Sequence, residues 1–369
     1  MCAAFNRRKS PVFVLGCPRS GTTLLYHMLL SAGGFAVYRT ESNVFNLLAP
    51  RFGGMRSASD RRQLMKHWLG SMLFRRAGID ARQIKAAIMK ECRGPGDFLR
   101  LVMEAIAREQ KVARWADCTP EHLLYMREIK RQLSDALFIH IIRDARDVAL
   151  SYVKQGWSHP LPWDKNERLG VAGLHWEWLV RQGRKQGTAL GADYREVRFE
   201  ELVRNPVHTL SQLGEFIEHD LDCDRIHRAG IGSVSQPNSS FTAESEGGFN
   251  PVGRWKTKMS AQEIAAFEDL VGEFLQELQY PVASQKRRSL RAARLRSTYF
   301  SMFMAKRWAR RTSLGKLVRL QHIEVETGPP TVNNFPGRKR SLTSAIQDCG
   351  LPAEPCSRPQ TFVSTHQSD

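Results

Sequence analysis

The chain has 369 residues, 42% of them hydrophobic and 25% charged, a composition that fills a globular core and excludes a fibrous or wholly disordered protein. Its 55 Lys and Arg against 37 Asp and Glu leave a formal charge of +18, a positive field that selects anionic partners. Seven scattered cysteines with no CxxC pair and no zinc-type His spacing signal neither a disulfide framework nor a structural metal site, and a reducing cytoplasm is expected.

In chain order, residues 11–17 (PVFVLGC) are a short unbroken apolar run, the pattern of a strand buried on both faces. Preceded by Arg7, Arg8 and Lys9, this run is too short for an export signal, and no apolar stretch reaches the roughly 18 residues of a membrane span. Helical patterning runs from Thr22 to Ser31, and Gly33-Gly34 end it before a second short strand, Phe35 to Tyr38. Several charged helices are expected over residues 58–110, then a brief strand from Val112 to Ala116. Residues 136–142 (ALFIHII) are the clearest strand, followed by a helix from Ala145 to about Gln155. A helix around Val171 to Lys185 and a strand at Tyr194 to Arg198 complete the alternation. It predicts an α/β fold: a parallel sheet with helices on both faces. Helices near Pro206 to Glu218 and Ser260 to Leu278 close the body, with Ile231 to Pro251 between them, rich in Ser, Gly, Asn and Pro, read as a loop.

After Pro281 the composition changes. Residues 284–369 hold 16 basic and 5 acidic side chains, so most of the excess charge belongs to this end of the chain. The reading is a domain over residues 1–283, a basic segment that can form an amphipathic helix over 284–320, and a tail over 321–369 expected to be disordered.

Between the first strand and the first helix stands Gly16-Cys17-Pro18-Arg19-Ser20-Gly21-Thr22-Thr23, with the GxxxxG spacing of a P-loop. Such a turn points successive backbone N–H groups, and the positive end of the helix, at one spot where a phosphate binds. Thr22 occupies the place of the lysine that reaches a β- or γ-phosphate, and Arg19 supplies a cation from within the loop instead. That exchange favours a nucleotide with one 5′-phosphate and a second anionic group. A P-loop kinase is the alternative enzyme class, and the missing lysine argues against it.

With this loop in place, the chain resembles the sulfotransferases that use 3′-phosphoadenosine-5′-phosphosulfate (PAPS), in the style of the tyrosylprotein, carbohydrate and bacterial members. In that family a P-(K/R)-S-G-T-T loop cradles the 5′-phosphosulfate, which assigns Pro18, Arg19, Ser20, Gly21, Thr22 and Thr23 to the donor. A second motif follows a later strand, opening with Arg and carrying Ser eight positions on, both gripping the 3′-phosphate. Here it is Arg143-Asp144-Ala145-Arg146-Asp147-Val148-Ala149-Leu150-Ser151, directly after ALFIHII. Arginine at a strand end offers a forked donor, and the serine lies two helical turns further along. By position, Phe199 in YREVRFEELV corresponds to the aromatic near the adenine, although its place in a core is an equal reading. Arg254 and Lys256 correspond to the basic segment that closes over the 3′-phosphate. The resemblance spans about residues 11–282.

It implies sulfuryl transfer from PAPS to an acceptor hydroxyl or amine, with no metal. Arg19 would stabilise charge on the leaving oxygen. Glu41, in Arg39-Thr40-Glu41-Ser42-Asn43 after the second strand, is the first choice as base, since a carboxylate at a strand's C-terminal end faces the crevice of an open α/β sheet. Its competing role is charge at a helix N-terminus. His122, in Asp117-Cys118-Thr119-Pro120-Glu121-His122, is the alternative base, and Cys118 stands where the family commonly has a lysine that assists the leaving group.

The basic segment carries Leu295, Tyr299, Phe300, Phe303, Met304 and Trp308 among Arg291, Arg294, Arg296, Lys306, Arg307, Arg310 and Arg311. Two readings stand side by side: an anchor for an anionic membrane surface or acidic partner, which would make the protein peripheral to a membrane, or docking of the aromatics onto the body. Self-repulsion of the charges predicts a segment that stays mobile until an anion neutralises it. Nucleic acid ranks below both because no nucleic-acid motif accompanies the charge. A non-catalytic polyanion-binding module is the third functional reading.

Overall fold

The protein is described by a computed structural model over residues 7–235, 250–283, 288–310 and 312. Its centre is a four-stranded, wholly parallel sheet in the order β2-β1-β3-β4, formed by β1 (Val12–Gly16), β2 (Ala116–Asp117), β3 (Leu137–Ile142) and β4 (Tyr194–Arg198). β1 pairs with β3 along its whole length, from Val12 opposite Leu137 to Gly16 opposite Ile141. Successive side chains of these strands enter opposite faces. Phe13, Leu15, Phe138 and Ile142 join one buried cluster, whereas Val12, Val14, Ile139 and Ile141 join another. That is why both strands read as continuous apolar runs.

Helix α1 (Thr22–Ser31) covers the second face, together with residues of the helices Pro206–Ile217 and Cys223–Ala229. The first face is covered by α2 (Pro95–Glu109), α3 (Ala145–Lys154), α4 (Arg168–Gly187) and α5 (Ala261–Glu277). Ser260 starts α5 with a capping box closed by Glu263. The expected charged helices over 58–110 are present as Ala58–Trp68, Met72–Ala77, Ala81–Glu91 and α2.

Two strand expectations are corrected. Phe35 to Tyr38 contributes one parallel bridge, Phe35 to Arg114, and the Val112 to Ala116 strand is displaced to Ala116–Asp117. In the first of these, the Gln110 side chain takes up Val37: its Oε1 accepts from Val37 N at 2.7 Å and its Nε2 donates to Val37 O at 3.0 Å. An amide side chain therefore satisfies the backbone groups that a ladder would have used.

The expected mobility of the basic segment is also corrected where that segment is described. Helix α6 (Leu290–Arg310) lies against α4, with Ala292, Tyr299 and Phe303 buried in the first cluster. Tyr299 Oη accepts from Leu161 N at 2.8 Å and donates to Asp164 Oδ2 at 3.1 Å. Arg296 grips the buried Glu177 through both terminal nitrogens and donates to Leu270 O at 2.6 Å. Arg291 pairs with Glu167, and Arg288, just before the helix, with Glu273. Carboxylates from distant parts of the chain thus offset the repulsion that the local sequence predicts. Residues 313–369, and residues 236–249 of the expected loop, lie outside the described residues. No helix among the described residues is long and apolar enough to cross a membrane.

Candidate functional site

Strand β1 delivers the loop 16–23 to the C-terminal edge of the sheet. Gly16 is required there because a Cβ would approach Ile141 O to 2.6 Å. Gly21 has φ +95, and a Cβ on it would lie 2.3 Å from Phe199 Cδ2. Only glycine meets both demands. Arg19 is itself left-handed, at φ 70, so the chain turns back at Arg19 before entering α1, whose first turn directs its N–H groups at the loop opening. Ser20 is buried with no partner for its Oγ, and Thr22 is buried while Thr23 is exposed.

The second motif reaches the same place from β3 and α3. Arg19 Nε donates to Ser151 Oγ at 2.7 Å, and Arg143 Nη1 donates to Arg19 O at 3.0 Å. The other terminal nitrogen of Arg143 donates to Pro251 O at 2.5 Å, and its Nε is buried without a partner. Asp147 lies 3.8 Å from Arg143 and accepts from Gly253 N at 2.8 Å and Trp255 N at 3.0 Å. The carboxylate thereby fastens the segment carrying Arg254 and Lys256 beside the motif. Burial lowers the Arg143 pKa against the pull of Asp147, and burial together with the nearby Arg143 lowers that of Arg19. Two arginines crowded at one opening form a site that an anion would relax.

Phe199 opens the helix Phe199–Arg204 and is buried, with Gly21 on one side and the Arg143 guanidinium 4.4 Å over its ring. With one face under Arg143 and the ring buried at 4% exposure, it takes the core reading rather than stacking on an adenine. It supports the loop from beneath.

On the other side of the loop, Ser42 N and Asn43 N both donate to Thr119 Oγ1, at 3.0 and 3.3 Å. This ties the Arg39–Asn43 segment to the Asp117–His122 segment. Glu41 keeps access to the crevice, and partial removal of water around its carboxyl, together with the negative Asp117 and Glu121, pushes it up to about 7. His122 does not join it. The ring is fully buried, Nδ1 bonds Asp117 Oδ2 at 2.9 Å, and Nε2 accepts from Phe45 N at 3.1 Å. A backbone N–H requires Nε2 as acceptor, so Nδ1 carries the proton and no nitrogen remains for an acceptor hydroxyl. His122 is corrected from alternative base to a structural brace. Cys118 faces away, bonded to Thr22 in the second cluster, and burial raises its thiol well above the ordinary range.

Three further contributors surround this site, two of them, Trp157 and Tyr152, outside the motifs read from sequence. Trp157, 48% exposed, lies under the Arg19 guanidinium at 5.7 Å. Tyr152 stands edge-on to it and bonds Cys17 Sγ at 3.6 Å. Glu121 raises the Glu41 pKa and is held by Asn46 at 3.3 Å and Arg310 at 3.4 Å.

Comparison with known proteins gives the family. A sequence profile of the sulfotransferase family matches residues 11–222. Among solved structures, the sulfotransferase domain from the curacin biosynthetic pathway is 15% identical, with TM-score 0.48, covering 74% of this chain and 98% of that one. The sulfotransferase domain from the Synechococcus PCC 7002 olefin synthase is 16% identical, with TM-score 0.44, covering 79% and 94%. A sulfotransferase from Alicyclobacillus acidocaldarius is 13% identical, with TM-score 0.38, covering 74% and 97%. No curated protein matches the sequence significantly. With its loop, its second motif and more than half of its length within the family profile, the chain belongs to the sulfotransferase family.

Proposed function

We propose that the protein transfers a sulfuryl group from PAPS to an acceptor hydroxyl, with Glu41 as the base. The observation that carries this reading is the junction of the two anion-binding motifs, Arg19 Nε to Ser151 Oγ at 2.7 Å and Arg143 Nη1 to Arg19 O at 3.0 Å. It gathers two guanidinium groups and a helix N-terminus at one opening. The residues fit a bisphosphorylated donor: Ser20 Oγ and Arg143 Nε are buried without partners, and the loop around Gly21 has no space for a Cβ. Orphaned buried donors are costly until a ligand satisfies them.

The donor supplies an activated sulfur–oxygen bond, broken as the acceptor oxygen bonds to sulfur, with adenosine 3′,5′-bisphosphate leaving. Arg143, Arg254 and Lys256 hold the 3′-phosphate, and Ser151 orients Arg19 toward the 5′ end. Arg19 meets the charge that develops on the leaving oxygen. Glu41 takes the acceptor proton, and its raised pKa suits a base working near neutral pH. The four described cysteines are unpaired, and a cytoplasmic setting is part of this proposal. For the outer side of α6, where Met304 and Trp308 are 63% and 60% exposed, we propose an anionic membrane surface as partner.

Thermal shift tests the donor. Adenosine 3′,5′-bisphosphate at a hundred times its dissociation constant is expected to stabilise the native state by about 2.7 kcal/mol. Stabilisation by ATP-Mg and not by the bisphosphate would transfer the reading to a kinase.

A further inference from the structure

Between Tyr152, Trp157 and helix α6 the fold forms a partly open cavity of ≈ 220 Å³ that the family motifs do not account for. Its wall is a run of rings. His175 stacks on Trp178 at 6.0 Å and meets Phe303 at 5.0 Å and Tyr152 at 5.9 Å, and Tyr152 meets Trp157 edge-on at 5.9 Å. Burial pushes the His175 imidazole down to about 4, so at neutral pH it lines this wall as an uncharged ring.

The cavity borders the groups assigned to transfer. Trp157 lines it and carries Arg19 over its face at 5.7 Å. Glu121 also lines it and acts electrostatically on Glu41. A molecule in the cavity therefore touches Trp157, the ring that carries the cation, and Glu121, the carboxylate that acts on the base.

Helix α6 completes the enclosure. It brings Met302 and Phe303 to the apolar wall, and Lys306, Arg307 and Arg310 to the same lining, where Glu121 is the one carboxylate. Three cations to one carboxylate leave a positive excess beside an aromatic wall. An apolar body satisfies the rings, and an anionic group satisfies the excess.

Resting on the sulfotransferase reading, we infer that this cavity is the acceptor site, that α6 is its specificity wall, and that the acceptor is an apolar alcohol or phenol bearing an anionic group. Lys306, exposed on α6, selects the anion. Transfer places the sulfuryl group on the acceptor oxygen, and the displaced proton passes to Glu41.

The test uses the full-length protein and two matched pairs: para-hydroxyphenylpropanoate with its methyl ester, and ω-hydroxydodecanoate with its methyl ester. Each is titrated by intrinsic tryptophan fluorescence with and without adenosine 3′,5′-bisphosphate, and the bisphosphate is titrated separately. In at least one pair the acid is expected to bind about tenfold more tightly than the ester, since one partly shielded charge contact has that size. Lys306→Glu is expected to erase the preference with bisphosphate affinity unchanged, and the better pair identifies an aryl or alkyl body. Acids and esters that bind alike, a preference that survives Lys306→Glu, or no acceptor binding while the bisphosphate binds would each overturn the inference. An intact acid preference without bisphosphate binding supports the pocket and removes only the PAPS reading.

Discussion

Arg19 and Ser151, 132 positions apart, meet through Nε and Oγ at 2.7 Å. The contact fastens the loop after β1 to the helix after β3, and Arg143 reinforces it by donating to the Arg19 carbonyl. The hydroxyl accepts from one guanidinium while the carbonyl accepts from the other, so two cations are held close without a carboxylate between them. Burial and mutual repulsion lower the Arg19 pKa. A site arranged this way is stabilised by the anion it binds.

Arg143→Ala is expected to weaken adenosine 3′,5′-bisphosphate binding by about 2 to 4 kcal/mol, through loss of a buried, charge-assisted forked donor. Asp147 keeps its two backbone N–H partners, Gly253 and Trp255, so folding should survive. Calorimetric titration checks this, and unchanged affinity would make Arg143 a purely structural partner of Asp147.

Glu41→Gln should leave bisphosphate affinity near wild type and lower turnover on the order of 10² to 10⁴-fold. The carboxyl lies above its ordinary 4.5, at about 7, so activity should rise with pH to a midpoint near that value and lose this limb in the variant. For stability the sign is opposite. Between those two values the native state binds more protons than the unfolded state, so the Glu41 contribution is full below 4.5 and is lost as pH rises through about 7. A rise in activity that persists in Glu41→Gln would assign the proton elsewhere.

Gly21→Ala combines a left-handed backbone with a Cβ 2.3 Å from Phe199 Cδ2. Strain of about 1 to 2 kcal/mol from the backbone alone, added to the displacement of Phe199, should lower the melting temperature and disrupt bisphosphate binding together. Phe199→Ala, which removes the obstructing ring, should partly restore binding in the double variant. Additive losses would show that the ring and the loop act independently.

Arg296→Ala removes the two-point grip on buried Glu177, although Arg181 still pairs with that carboxylate at 2.8 Å. A loss of about 2 to 3 kcal/mol is expected in denaturant unfolding. Truncation after Val282 should lower the melting temperature further, because it uncovers the surface under Tyr299 and Phe303. Preserved stability would mean that α6 docks without contributing to the core.

Full-length protein should sediment with phosphatidylserine vesicles at low salt and be released as salt rises. Trp308→Ala should weaken this with the melting temperature unchanged, since Trp308 is 60% exposed. No sedimentation at low ionic strength would exclude the membrane partner.

Strands β1 and β3 and the phosphate loop were legible in sequence because each is locally encoded. A strand buried on both faces must be apolar throughout, as in Val12–Gly16 and Leu137–Ile142, and a turn that holds φ +95 against a neighbouring ring must be Gly21. The spacing from Arg143 to Ser151 was equally local, being a length of helix. Tertiary structure alone decided where long-range partners fall. His122 had the residue type of a base, but Asp117 and Phe45 occupy both of its nitrogens. Phe199 had the type of a stacking aromatic, but it is buried, with Arg143 over its ring and Gly21 against it. The basic segment had the composition of a mobile arm, but Glu177 and Glu167 lie more than a hundred residues away along the chain, so only folding could bring the charges that hold it as a helix against α4.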